Sequence, residues 1–266
     1  MNNLTFILAS SFNSTAKDKN GNRYAVALNK HYPSNQFLDN VKTFTPNLNL
    51  VIYIANNPND HTITDERGNL VFQSLKLSGL DFKKQQIIDN RNLDNAKNLI
   101  LNADLILLAG GKLQCQLDSF TQLNLKELLK TRQNSNKPCL VIGGSAGAMN
   151  LCEFAFNFPE SKKDLSKTTN TTTPAPDAVL LNGLGFHNEI IIPHFDYKTK
   201  TYGDPNDQEL AELDLVNNHF IPQSHKHELL AFNDDGYILI RNHKPKYFGT
   251  FSKIKHGIVS LIQHNI

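Results

Sequence analysis

The sequence predicts an α/β fold: a mostly parallel sheet with helices on both faces and an antiparallel C-terminal hairpin. Three observations predict it. Short apolar runs alternate with longer amphipathic stretches through the first half of the 266-residue chain. Two of those runs end in glycine pairs, Gly110-Gly111 and Gly143-Gly144. The later part of the chain changes to closely spaced β-type runs around Asn233-Asp234-Asp235-Gly236. Strand–helix alternation is the signature of a parallel sheet covered on both sides.

Taken in order, residues 4–10 read as a first strand, 36–44 as a helix and 48–55 as a second strand. Residues 65–78 carry periodic Leu and Val, as a helix does. A third strand is expected at 84–88, a helix at 93–101 and a fourth strand at 104–108. Leucines recur at helical spacing over 113–132, and 138–142 reads as the fifth strand. Residues 160–176 are polar and Thr-rich, a loop signature. A strand follows at 189–193 and a helix at 206–218. Strands at 228–232 and 237–241 flank Asn233–Gly236, which reads as a hairpin turn with Gly236 at positive φ. Residues 246–248 suggest one more strand. No internal repeat or domain boundary is visible, so 1–266 is expected to be one domain.

Bulk properties narrow the function classes. Net charge is +2, from 27 basic and 25 acidic residues, with no basic stripe. Nucleic-acid and membrane binding therefore have no electrostatic support. Three cysteines at wide spacing do not form a disulfide framework, which fits a reducing compartment. The N-terminus lacks the basic flank and long apolar stretch of a signal peptide. No segment approaches the ~20 apolar residues of a membrane span. A soluble, cytoplasmic protein is expected.

The chemistry-bearing motif is Gly143-Gly144-Ser145-Ala146-Gly147-Ala148, directly after an apolar strand. A G-x-S-x-G sequence between strand and helix is a nucleophile elbow, which lifts the serine hydroxyl out of the sheet. The helix behind it aims free N–H groups and its positive end at the same place. A serine needs a base to take its proton. His194, at the end of the β-branched run Ile190-Ile191-Ile192-Pro193, is the leading candidate. His187 reads as a turn residue. His225 and His227 alternate as on one strand face near His219, but no Cys or carboxylate completes a recognisable zinc spacing, so no metal is expected. The carboxylates between serine and histidine, Glu160, Asp164 and Asp177, are equal candidates for the group that orients the base. The N–H of Ala146 and that of Gly110 or Gly111 could form an oxyanion hole.

Together these residues resemble the peptidase E family of serine peptidases, which contains aspartyl dipeptidase and cyanophycinase. Leu107-Leu108-Ala109-Gly110-Gly111 with Gln116 and Phe120 resembles its first glycine turn. Gly144–Ala148 with Asn150 resembles its nucleophile motif, Pro193-His194-Phe195-Asp196 its histidine motif, and 229–240 its C-terminal hairpin. The resemblance implies a class I glutamine amidotransferase-like (flavodoxin-like) fold, Ser145 as nucleophile and His194 as base. It implies Glu160 as the triad acid, with Asp164 as the alternative, and Gly111 and Ala146 as the oxyanion hole. Gly110 and Gln116 become substrate-binding residues. The implied partner is a small peptide, with no cofactor and no metal, and a homodimer is a possible assembly. Aspartyl dipeptidases of the family carry an arginine after the histidine motif, and 202–215 contains none, so strict Asp-X specificity does not follow. An esterase or amidase with the same triad, or a non-catalytic binding protein on the same fold, are the competing readings. A glutamine amidotransferase would need a cysteine at the elbow.

Overall fold

The structure is a computed structural model, and it describes residues 3–158, 179–196, 198–202 and 214–262. In chain order, β1 (Leu4–Ala9) is followed by a short ribbon, β2 (Thr15–Lys17) and β3 (Arg23–Ala25). Then come α1 (Phe37–Phe44), β4 (Leu50–Ile54), α2 (His61–Leu77), β5 (Lys84–Ile88), α3 (Leu93–Asn102) and β6 (Leu105–Leu108). Helices α4 (Leu113–Gln122) and α5 (Leu125–Gln133) lead to β7 (Cys139–Gly144) and α6 (Ala146–Leu151). Short strands β8 (Phe154–Asn157), β9 (Val179–Asn182), β10 (Ile190–Ile192), β11 (Phe195–Asp196) and β12 (Thr201–Tyr202) follow. The chain closes with β13 (Leu229–Phe232), β14 (Tyr237–Arg241), β15 (Lys244–Phe248), β16 (Phe251–Lys255) and β17 (Ile258–Ile262).

Among the described residues the main sheet has seven strands in the order β15-β14-β1-β7-β6-β4-β5. The strands from β1 to β5 in that order are parallel, and β14 and β15 add antiparallel to β1's free side. Side chains alternate across a strand, and the core divides accordingly. Phe6, Leu8, Ile52, Ile54, Ile106, Leu108 and Val141 face α3 to α6 and the second sheet. Ile7, Val51, Tyr53, Leu105, Leu107, Leu140 and Ile142 face α1 and α2. Because both faces are covered, these strands read as unbroken apolar runs rather than alternating ones. A second sheet, β10-β13-β16-β17, packs into the first of these two cores. Among the described residues no helix is long and apolar enough to cross a membrane.

The expected strands and helices of the first half are present, with one difference. The run 113–132 is two helices, not one, because Asn124 sits at φ +50 and turns the chain. Asn tolerates this left-handed conformation better than most residues.

The second half departs further. Strands β13 and β14 do not pair across Asn233–Gly236. β13 runs parallel to β10 in the small sheet, whereas β14 runs antiparallel to β1 in the large one. The segment 233–236 is therefore a crossing between sheets, closed by Gly236 N–H donating to the Asn233 carbonyl at 2.8 Å. Gly236 is not at positive φ; a Cβ there would lie 2.9 Å from that of Phe232. The C-terminal hairpin of the large sheet is instead β14–β15, whose two turn residues, Asn242 and His243, have φ +51 and +61. That is the two-residue turn that matches strand twist. The helix expected at 206–218 falls partly outside the described residues; from Asp214 the chain enters a π-helical turn, Val216–Phe220, and a short helix, Ile221–Gln223.

Candidate active site

The carboxyl ends of β1, β4, β6 and β7 open on one side of the sheet. Ser10, Asn56, Gly110 and Ser145 lie just beyond them. The connections leaving the adjacent strands β4 and β6 run in opposite directions, β4 to its outer neighbour β5 and β6 to β7. Open α/β sheets bind ligands in the crevice at such a switch point.

Ser145 has φ +52 and ψ −118, a conformation that non-glycine residues rarely adopt. Three features hold it there. Its N–H is shared between the carbonyls of Ala9 and Ser10, at 3.0 and 3.1 Å. Its own carbonyl accepts the N–H groups of Ala148 and Met149. The flanking glycines allow the elbow to close: a Cβ on Gly147 would sit 2.4 Å from the Leu108 carbonyl, and one on Gly143 would sit 2.5 Å from Gly147. Gly147→Ala is therefore expected to cost about 1–3 kcal/mol of stability, as overpacking does. An unchanged denaturant midpoint in that variant would show that α6 is not seated against β6 as described. Gly110, whose added Cβ would stand 3.2 Å from that of Ser145, should tolerate alanine better.

The glycine turn after β6 is fixed from two sides. Asn56 clamps it, accepting the Lys112 N–H at 3.0 Å and donating to the Lys112 carbonyl at 2.9 Å. Its amide lies 2.6 Å from where a Gly111 Cβ would be, and Gly111 has φ +139, so only glycine fits. Gln116 is fully buried. Its side-chain amide donates to the Ala109 carbonyl at 2.5 Å, and its oxygen accepts from Asn150 at 2.9 Å. Gln116, expected to touch substrate, thus lies beneath the turn and is committed to holding it, while Gly110 and Gly111 line the cleft. Among the described residues neither the Gly111 N–H nor that of Ala146 has a protein partner. The first N–H groups of a helix have none within it.

The cleft holds about 510 Å³ and is bordered by Ser10–Lys17, Gly110, Gly111, Gly144, Ser145, His194 and Asp234 among others. The Ser145 hydroxyl has no hydrogen-bond partner among the described residues. His194 reaches the same space from the turn between β10 and β11, where its φ is +58. Its Nδ1 lies 2.6 Å from Oδ1 of Asp234, and Tyr202 packs edge-on to its ring at 6.4 Å.

Ser10 joins the parts. Fully buried, it accepts the His194 backbone N–H at 2.7 Å on its hydroxyl and donates that hydroxyl to Asp234 Oδ1 at 2.9 Å. Its carbonyl receives the Ser145 N–H. Burial works against the charged form of Asp234, but the hydrogen bond and charge of His194, with the Ser10 hydroxyl, outweigh it and hold the carboxyl below the usual Asp range.

The carboxylate beside the histidine is thus Asp234, forty positions after it. The expected acid Glu160, with Asp164 and Asp177, lies outside the described residues. Asp234 lies outside the interval between Ser145 and His194 in which the orienting carboxylate was expected; triads occur in several chain orders. The available signal was Asp234-Asp235 inside the segment that resembled a family motif. His225 and His227 stand in turns rather than on a strand face, and His219 is buried in the π-helical turn. Among the described residues no three His, Cys, Asp or Glu side chains are grouped to hold a metal ion. Cys139 and Cys152 are fully buried, and burial pushes the Cys139 thiol up to about 11 and that of Cys152 further.

The family model described as peptidase family S51 matches residues 34–247. The chain belongs to that family, the peptidase E family. Among solved structures it is similar to a peptidase from an acI-B1 Actinobacterium, with TM-score 0.59, 15% identity, and coverage of 98% of this chain and 95% of that one. It is also similar to a peptidase E protein from Listeria monocytogenes EGD-e, with TM-score 0.54, 17% identity, and coverage of 93% and 98%. At these identities the likeness is one of fold. No curated protein sequence matches the chain.

Proposed function

We propose that this protein is a serine peptidase of short peptides, with Ser145 as nucleophile and His194 as general base. The observation that carries the proposal is the meeting of a strained Ser145 elbow and a carboxylate-bound His194 in one cleft at the sheet's carboxyl edge. Asp234 holds the proton of the imidazole on Nδ1, which leaves Nε2 as the base. His194 takes the Ser145 proton as Oγ attacks the peptide carbonyl. The N–H groups of Gly111 and Ala146 receive the oxyanion. Imidazolium then gives its proton to the leaving amine, and water hydrolyses the acyl-enzyme by the reverse roles. Covalent capture of the serine is the test: a fluorophosphonate should lose fluoride and leave its phosphonyl group on the peptide carrying Ser145 and on no other. Labelling elsewhere, or none with peptides left uncut, would remove the assignment.

In this scheme Asp234 and Ser10 position the base and do not touch substrate. Ser10→Ala deletes a hydrogen bond to a charged group, about 1.5–3 kcal/mol, so kcat should fall roughly tenfold to a hundredfold. Losing a donor to the carboxylate raises its pKa. The acid limb of the kcat/KM profile should therefore move to higher pH. A drop in activity with an unmoved profile would mean that Ser10 only supports the fold.

A further inference from the structure

We infer that β17 is the surface through which two copies of this chain pair, strand against strand, into a two-fold symmetric dimer. The inference does not depend on the chemistry assigned to Ser145. A strand at a sheet's edge presents unpaired N–H and C=O groups, and proteins blunt such edges with charges, proline or shortness. Among the described residues the two larger sheets end on β15, β5, β10 and β17. β15 carries Lys244-Pro245-Lys246, β5 opens on Lys84 and continues with Gln85 and Gln86, and β10 is three buried residues. β17, Ile258-Val259-Ser260-Leu261-Ile262, has no charge and no proline. Ile258 is 68% exposed, the most of any large apolar side chain among the described residues, and Leu261 is 43% exposed.

The edge is held ready for a partner. β16 and β17 pair in register from Phe251–Ile262 to Lys255–Ile258. Their two-residue turn, His256-Gly257, has φ +51 and +78. Ser224 anchors that turn: its carbonyl accepts the His256 N–H at 2.9 Å and its hydroxyl accepts the Gly257 N–H at 2.8 Å. In such a hairpin the pair flanking the turn, Lys255 and Ile258, is hydrogen-bonded, and bonded pairs alternate along the strands. Val259 and Leu261 therefore turn their N–H and C=O groups away from β16.

The order of side chains selects a second copy as the occupant. The strand has the same pattern from both ends, with two branched apolar residues on each side of a serine. Laid antiparallel on itself about Ser260, it sets Ile258 against Ile262 of the other copy and Leu261 against Val259 of the other copy. Each exposed side chain thus meets one already packed on the core. Val259 and Leu261 exchange the hydrogen bonds. Ser260 meets its own counterpart at the axis as a non-hydrogen-bonded pair, where side chains come closest and small ones fit. No like charges are opposed. An isologous contact uses up the same edge in both copies, so the assembly closes at two. One pair of short strands is smaller than the ~1,600 Å² of a standard stable interface, so a dissociation constant on the order of 10 µM is expected.

Sedimentation of the full chain from about 1 µM to about 500 µM should show monomer passing to dimer. Leu261→Lys, which puts a charge on the edge, should raise the midpoint concentration by roughly tenfold or more. Equal thermal midpoints would check that this variant folds; should it not fold, cross-linking decides alone. Cross-linking by copper–phenanthroline reads the register in a Cys115→Ser background, since Cys139 and Cys152 are fully buried. A disulfide requires Cα atoms within about 7 Å. Ser260→Cys should therefore give a cross-linked dimer, whereas Ile258→Cys and Leu261→Cys, offset from their own counterparts, should cross-link roughly tenfold more slowly or not at all. Monomer throughout the range, a dimer that folded Leu261→Lys leaves intact, equal cross-linking at all three positions, or open-ended aggregates in place of a dimer would each overturn the inference.

Discussion

Ser145→Ala is expected to abolish peptide hydrolysis, lowering kcat by roughly 10⁴–10⁶-fold, as loss of a serine nucleophile does in other triads. The fold should survive, because the elbow is held by backbone bonds from Ala9, Ser10, Ala148 and Met149 and not by the hydroxyl. The backbone strain offers a second readout. A non-glycine residue in such a conformation costs on the order of 1–3 kcal/mol, and alanine inherits it. Ser145→Gly should therefore be as inactive as Ser145→Ala but more stable to denaturant. Inactivity together with that stability order would place the nucleophile on a strained elbow. Wild-type turnover in Ser145→Ala would end the assignment.

Asp234→Asn is the second large effect. An amide of the same shape cannot hold the proton on Nδ1 as a carboxylate does, and the equivalent change in a known triad costs about 10⁴ in kcat. Glu160→Gln, made alongside, should leave most of the activity. If Glu160→Gln, Asp164→Asn or Asp177→Asn is the slow variant, then Asp234 is not the orienting acid. The pH dependence of stability gives an independent check. The carboxyl of Asp234 is depressed below its ordinary value of about 3.9. Its pairing thus contributes stability that is present above that value and is lost as pH falls through the folded-state value. Asp234→Asn should flatten this acid limb of the unfolding curve. The side chain is 44% exposed, so solvent screening keeps the contribution small.

Much of the site was legible because its signals are local. Strand, glycine pair, serine and helix lie within about a dozen residues, and each choice is enforced by sterics that a short segment contains. The strand-end position of His194 was readable for the same reason. Asp234 was not, since its role depends on β13 and β14 entering different sheets. A run of turn residues between two apolar strands looks the same whether the strands pair with each other or part. Gln116 was readable as part of the glycine-turn motif, but not as a buried strut. Its side-chain direction depends on α4 and α6 packing together.

The sequence by itself therefore determined the alternating order of strands and helices, the parallel sheet they imply and the elbow carrying Ser145. These follow from periodicity and from backbone freedom within a few neighbouring residues. Only the tertiary structure decided that Asp234 is the carboxylate that meets His194, and that Ser10 bonds to both of them and to the Ser145 elbow. Those contacts join residues up to 224 positions apart. They are set by which strand ends the sheet order brings side by side, a property that no single stretch of the chain encodes.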